Sequence, residues 1–190
     1  MFNHCGILLA TCAILLAVSR VHAADAVPAT GGAAALTPQN TKIQFVCAHV
    51  GPKPDPRKGG FGKFTGQALL DGKSLKSLSL DIDTTSLFTE FDMLTTHLKS
   101  ADFFEVRRFP TAKFQSTKIE PTSDGCQITG KLTLHGVTKE LTIPAKTNIS
   151  NAGLALSSEF TINRHDFGIS FGPEKVEQKV SLTVVIGDKL

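Results

Sequence analysis

Cys126-Gln127-Ile128-Thr129-Gly130-Lys131-Leu132-Thr133-Leu134-His135 alternates one apolar or small residue with one polar residue over ten positions. An extended chain turns successive side chains to opposite faces, so this stretch reads as a strand with one buried and one solvated face. The same parity recurs on both sides of it. Upstream, Ile43, Phe45, Cys47 and His49 share a face, as do Phe64, Gly66, Ala68 and Leu70. Leu78, Leu80 and Ile82 alternate with Ser79, Asp81 and Asp83, and Ala112 and Phe114 with Lys113 and Gln115. Downstream come Leu141 and Ile143, then Leu154, Leu156, Phe160 and Ile162, and last Val180, Leu182, Val184 and Ile186. Gly, Asp, Asn and Pro clusters separate these runs. The pattern predicts an all-β fold of eight antiparallel strands. Strands with one apolar face need closure or a second sheet, and closure gives a barrel.

Residues 86–110 break the alternation. Phe91, Leu94 and Leu98 stand at helical spacing, and Ser100 to Pro110 ends the helical region. With Phe88, Phe103, Phe104 and Phe109 in the same segment, it predicts a short helical insert packed on one end of the barrel.

Residues Cys5 to Val18 are almost wholly apolar, the length of a signal-peptide core, and Val21-His22-Ala23 suits cleavage after Ala23. Residues 1–23 therefore read as a signal peptide, residues 24–40 as a flexible leader rich in Ala, Thr, Gly and Pro, and residues 41–190 as one domain. Export to the periplasm or outside the cell is expected. Loss of Arg20 with the signal lowers the 20 Lys and Arg to 19, against 17 Asp and Glu, a balance that excludes nucleic acid as partner. Two cysteines remain, Cys47 and Cys126, with no CxxC spacing. They belong to the first and fifth predicted strands, which are not neighbours in an up-and-down barrel, so both are expected as free thiols.

No catalytic or metal constellation stands out. His49, His97, His135 and His165 lack metal-ligand spacing, and no GxSxG, Walker or GxGxxG run occurs. Asp81 and Asp83 lie on a strand's polar face, His135 opens a His-Gly turn, and Lys53, Arg57, Lys58 and Lys63 read as a solvated Gly/Pro-rich loop. Arg164 is different, because it continues the inward parity of Phe160 and Ile162 to the barrel mouth. A buried guanidinium needs a partner. Two readings stay open: an ion pair with Asp166 or another carboxylate, or an anchor for a ligand's phosphate or carbonyl. Small residues at inward positions (Gly66, Ala68, Ala112 and Gly130) leave volume unfilled; either a ligand or the insert's phenylalanines could occupy it.

Five phrases in order carry a resemblance. They are Gly59-Gly60-Phe61-Gly62-Lys63-Phe64-Thr65-Gly66, Thr96-His97-Leu98-Lys99-Ser100-Ala101-Asp102-Phe103-Phe104-Glu105-Val106, Phe109-Pro110-Thr111-Ala112-Lys113-Phe114, Gly130-Lys131-Leu132-Thr133-Leu134-His135-Gly136-Val137-Thr138-Lys139 and Arg164-His165-Asp166-Phe167-Gly168-Ile169. Together they resemble the YceI-like family of exported, lipocalin-like, polyisoprenoid-binding proteins. Leu94-Thr95-Thr96 departs from it, since many members carry an Arg-Asp pair there. The resemblance implies a lipocalin-like barrel around a long isoprenoid, such as a polyprenyl phosphate or an isoprenoid quinone, with no catalytic residue, no other cofactor, and a homodimer. The expected lipid-lining set is Phe45, Phe64, Leu80, Ile82, Phe91, Leu94, Leu98, Phe103, Phe104, Phe114, Leu132, Leu134, Phe160 and Ile162, with Arg164, Asp166, His49 and His97 at the mouth. A lipid carrier of this kind is expected to touch a membrane transiently. The alternative is a protein-interaction or stress-response module with a filled, structural barrel.

Overall fold

The computed structural model describes residues 32–151 and 153–187. The expected signal peptide and residues 24–31 of the expected leader lie outside the described residues. The described chain forms one curled antiparallel sheet of eleven strands with one short helix. The strands are β1 (Gly32–Leu36), β2 (Thr41–Ala48), β3 (Pro56–Phe61), β4 (Phe64–Asp71), β5 (Ser74–Asp83), β6 (Leu87–Thr89), β7 (Thr111–Pro121), β8 (Gly125–Leu134), β9 (Val137–Ser150), β10 (Gly153–Asn163) and β11 (Lys179–Ile186). The helix α1 spans Asp92–Lys99 between β6 and β7. Across the sheet the order is β1-β4-β5-β7-β8-β9-β10-β11-β2-β3-β6. The all-β antiparallel class is as the alternation predicts, and the eight alternating runs all appear as strands. Three further strands raise the count from eight to eleven.

Each addition has a physical reason. Gly32–Leu36, expected as part of a flexible leader, pairs antiparallel with β4. Its Ala34 and Leu36 side chains are buried, so this segment belongs to the core although Gly and Ala give no hydrophobic signature. Pro56–Phe61, expected as a solvated basic loop, pairs with β2 on one side and β6 on the other. Two glycines permit this: a Cβ on Gly59 would stand 2.9 Å from Cε1 of Phe45, and one on Gly60 2.8 Å from the Ile43 carbonyl. Leu87–Thr89 is a strand inside the segment expected to be helical.

The inward parity holds along the sheet. Ile43, Phe45, Phe64, Leu80, Ile82, Phe114, Ile128, Leu134, Leu156, Ile162 and Ile186 are all buried. Cys126 is buried and Cys47 half-buried, both as free thiols on the non-adjacent strands β8 and β2. The small inward residues mostly do not leave space. The Phe114 ring lies against Gly130, where a Cβ would come within 2.8 Å of its Cε2, and Leu80 and Leu36 close over Gly66. Ala68 is sealed in the core, and only Ala112 faces open volume. The interior is thus filled where Leu36, Leu80 and Phe114 pack and open beside Ala112 and Ile82.

The insert is anchored at its base. Buried Thr84 takes the Pro110 carbonyl with its N–H (2.9 Å) and the Phe109 carbonyl with its hydroxyl (2.7 Å), so the chain leaves and re-enters the sheet at one point. Within it only eight residues are α-helical. Phe91 sits at the helix N-cap in extended conformation, off the face shared by Leu94 and Leu98. Of the insert's five phenylalanines, Phe103 is buried and Phe104 and Phe109 are half-buried, whereas Phe88 and Phe91 are 50% and 53% exposed.

Candidate functional site

An apolar cavity of about 410 Å³ opens inside the curled sheet, within the range of about 300–1,000 Å³ usual for small-molecule sites. Its floor comes from strand residues facing inward: Ile43 and Phe45 on β2, Ile82 on β5, Ala112 on β7, Leu132 and Leu134 on β8, Ile162 on β10, and Val180 and Leu182 on β11. Period-two geometry puts all of these on one face, and pairing brings them together from distant parts of the chain.

The insert supplies one wall. Leu94 and Leu98, one helical turn apart on α1, both reach the cavity, as do His97, Phe103 and Phe104. The two phenylalanines join different aromatic groups. Phe104 packs with Phe61 (centroids 5.9 Å apart) and Phe45 (6.4 Å). Phe103 packs with His97 (5.0 Å) and Phe171 (5.3 Å), and His97 with Phe171 (5.4 Å). These edge-on and tilted contacts suit aromatic quadrupoles, and they hold the insert against the sheet.

The opening lies where the lining residues meet solvent. His49, His97, Phe171 and Lys175 are exposed, and Arg57, Thr89 and Leu94 half-exposed. The ionisable side chains of the lining are His49, Arg57, His97, Arg164, Lys175 and the Cys47 thiol; no carboxylate is among them. Arg57 is paired outside the lining with Asp55, and His97 Nε2 with Asp102 at 3.1 Å.

Arg164 is inward and 4% exposed, as its parity predicts, but its partner is not Asp166. Nε donates to the Glu177 carbonyl (2.9 Å), and the two terminal nitrogens donate to Ile169 (2.8 Å) and Val176 (3.0 Å). Asp166 points to solvent from the turn Arg164–Phe167. The reason is local: Asn163 caps that turn by accepting the His165 N–H (3.0 Å), and the turn sends residue 166 outward. The ion pair with Asp166 is thereby replaced by backbone carbonyls, which take three of the five guanidinium N–H groups. The guanidinium clasps residues 169–177, the segment that brings Phe171, Lys175 and Val176 to the cavity. Burial pushes its pKa down from the ordinary value, with Cys47 nearby opposing that shift. Burial in turn pushes the Cys47 thiol pKa up, and the Arg164 charge partly offsets it.

Of the expected lining set, Phe45, Ile82, Leu94, Leu98, Phe103, Phe104, Leu132, Leu134 and Ile162 line the cavity, with His49 and His97 at its opening and Arg164 buried in its lining. Phe64, Leu80, Phe114 and Phe160 lie outside it, packed into the filled part of the core. Phe91 lies outside too, its ring under the Arg57 guanidinium at 5.1 Å. Lining residues outside the expected set include Arg57, Phe61, Phe171, Lys175 and Val176, on segments without alternation, and Ile43, Val180 and Leu182, inward residues of β2 and β11. His135 is the turn residue expected, at φ 51°, and its Nδ1 lies 3.2 Å from the Phe167 carbonyl. Among the described residues, no group of three or more His, Cys, Asp or Glu is placed to hold a metal ion.

A sequence profile of the YceI-like domain matches residues 35–187, from inside β1 to the end of β11. The chain belongs to the YceI-like family. A UPF0312 protein of Shewanella denitrificans is 36% identical over 185 residues, covering 90% of this chain and 92% of that relative. One from Pseudomonas putida is 34% identical over 137 residues, 67% of this chain and 71% of the relative. The YceI-like fold is shared with Burkholderia cenocepacia BcnA, at a TM-score of 0.70 and 24% identity over 78% of this chain and 96% of BcnA. A polyisoprenoid binding domain from Saccharophagus degradans, implicated in plant cell wall breakdown, matches at a TM-score of 0.64 and 14% identity, covering 83% of this chain and 97% of that domain.

Proposed function

We propose that this YceI-like chain is an exported carrier or sequestering protein for an isoprenoid lipid, a binding protein rather than an enzyme. The observation that carries the reading is the cavity of about 410 Å³, walled mainly by apolar side chains, with Arg164 buried in its lining and further basic groups at its opening. An apolar tail is stabilised by leaving water for such a space, by about 25 cal/mol per Å² of apolar area. The polar end of the ligand then meets His49, Arg57, His97 and Lys175, all able to donate to a phosphate or a quinone carbonyl and none able to repel it. Polyprenyl phosphates and isoprenoid quinones both fit this distribution. Arg164, also in the lining, adds its charge there, with three of its five N–H groups given to backbone carbonyls. The polyisoprenoid binding of the Saccharophagus degradans domain supports the same ligand class. Phe103 and Phe104 of the insert line the space rather than fill it, which disfavours a purely structural barrel.

Export to the periplasm or beyond follows from the apolar segment Cys5 to Val18 and the cleavage signal before Ala24. A lipid so poorly soluble is exchanged with membranes, so contact with a bilayer is part of the reading. The test is a thermal melt of delipidated protein with a polyprenyl phosphate and with an isoprenoid quinone. Ligand at about 100 times its Kd adds about 2.7 kcal/mol, which raises the midpoint by several degrees. Midpoints unmoved by both ligands overturn the reading.

A further inference from the structure

We propose that the rim of the cavity opening is a docking surface for a phospholipid bilayer, with Val50, Phe91, Met93 and Phe171 entering the interface. This rests on the carrier reading for its purpose and adds to it the exposed apolar side chains around the opening. Among the described residues, six large apolar side chains are notably exposed: Val50, Leu69, Phe88, Phe91, Met93 and Phe171. Leu69 and Phe88 sit elsewhere, Leu69 on the outer face of β4 between β1 and β5 and Phe88 on β6 with its ring over Gly60. Val50, 53% exposed, follows the lining residue His49 and donates its N–H to the carbonyl of the lining residue Lys175 (2.9 Å). Phe91 and Met93, 53% and 86% exposed, flank the start of α1, whose Leu94, His97 and Leu98 form the wall beside the opening. Phe171, 43% exposed, itself belongs to the lining.

Scattered exposed apolar residues need no explanation, but a group gathered around one opening marks a contact surface. Two features point to a bilayer. The mouth offers His49, Arg57, His97 and Lys175 with no carboxylate in the lining, which complements lipid phosphates. Arg57 and His97 are already answered by Asp55 and Asp102, so charge is the smaller contribution and apolar insertion the larger. Phe91 also lies beneath the Arg57 guanidinium, pairing an interfacial ring with a head-group cation on one spot. A second copy of the chain seated on this rim would seal the opening that a ligand must pass, whereas a bilayer surface is continuous with the ligand's own source.

The test is flotation of the full chain with vesicles of phosphatidylcholine, alone and mixed with phosphatidylglycerol. Wild-type protein should co-float with both, more strongly with the anionic mixture at low salt. The double variant F91S/M93S lies outside the cavity and replaces exposed side chains, so it should fold normally. Its partitioning should fall at least about tenfold. Val50→Ser should reduce partitioning by less, and Leu69→Ser not at all. Failure of the wild type to float, or equal flotation of F91S/M93S, overturns the proposal. So does a concentration-dependent dimer in sedimentation that F91S/M93S abolishes while vesicles go unbound, since the occupant is then a second copy. Lipid extracted from the same protein samples separates the two readings: a lipid-loaded protein that does not float contradicts only the docking surface, and a floating protein without lipid contradicts only the carrier.

Discussion

Phe103 and Phe104 are consecutive in the chain, yet their rings join separate aromatic groups, Phe103 with His97 and Phe171 and Phe104 with Phe45 and Phe61. The insert is therefore fastened at two points, one to the β2–β3 side of the sheet and one to the segment after β10. That gives it the properties of a partial lid whose loosening is separable from global unfolding.

Phe104→Ala tests the first fastening. Phe104 is half-buried, so its loss should cost about 2 kcal/mol, less than the roughly 3–5 kcal/mol of a fully buried ring. Lipid exchange with vesicles should accelerate by more than the fall in urea stability explains. A variant with the full stability loss and an unchanged exchange rate contradicts a lid.

Arg164→Ala should strand three carbonyls and loosen residues 169–177. With roughly 1–3 kcal/mol for each buried group left unsatisfied, partly relieved by water, a loss of about 3 kcal/mol is expected in denaturant unfolding. Asp166→Asn should change stability by less than about 0.5 kcal/mol, as expected of an exposed side chain. A large effect of Asp166→Asn would restore the ion pair that the sequence suggested.

The floor of the site was legible in the sequence because period-two alternation fixes which side chains point inward, and Leu94 and Leu98 were legible from helical spacing. What stayed hidden has three physical causes. Gly32–Leu36 is a strand of Gly and Ala whose burial comes from pairing with β4, not from hydrophobic pattern. Pro56–Phe61 reads as a basic loop because its two glycines make room for neighbouring chain and rings rather than supplying side chains of their own. Phe171, Lys175 and Val176 reach the cavity through the Arg164 clasp, a long-range arrangement with no periodic trace. The small inward residues misled in the other direction, because Phe114, Leu80 and Leu36 occupy the volume that Gly130 and Gly66 give up.

That difference yields a paired prediction. Gly59→Ala places a methyl against the Phe45 ring, and Gly130→Ala places one against the Phe114 ring. Overpacking of this kind costs about 1–3 kcal/mol, and both variants should show it in urea unfolding. Only Phe45 lines the cavity, so only Gly59→Ala should also reduce the amount of lipid that copurifies. Equal lipid loss in both variants contradicts the division between filled and open interior.

The cysteines give a pH dependence. Burial raises both thiol pKa values above the ordinary 9.0. An acid whose folded pKa is raised keeps its proton longer in the folded state, so its stabilising contribution is complete below pH 9 and is lost as pH rises through the folded value. Denaturant midpoints should fall above pH 9, and the Cys47→Ser, Cys126→Ser double variant should show less of that fall. Alkylation of both thiols at pH 7 should be slower than that of a free cysteine. A rise in stability above pH 9 contradicts this sign.

Native mass spectrometry of the protein purified gently from its own host tests the central claim most directly. The account predicts an adduct of several hundred daltons that organic extraction removes, that fragments as an isoprenoid chain, and that declines in Gly59→Ala. A clean apo mass throughout, or an adduct without isoprene repeats, would contradict it.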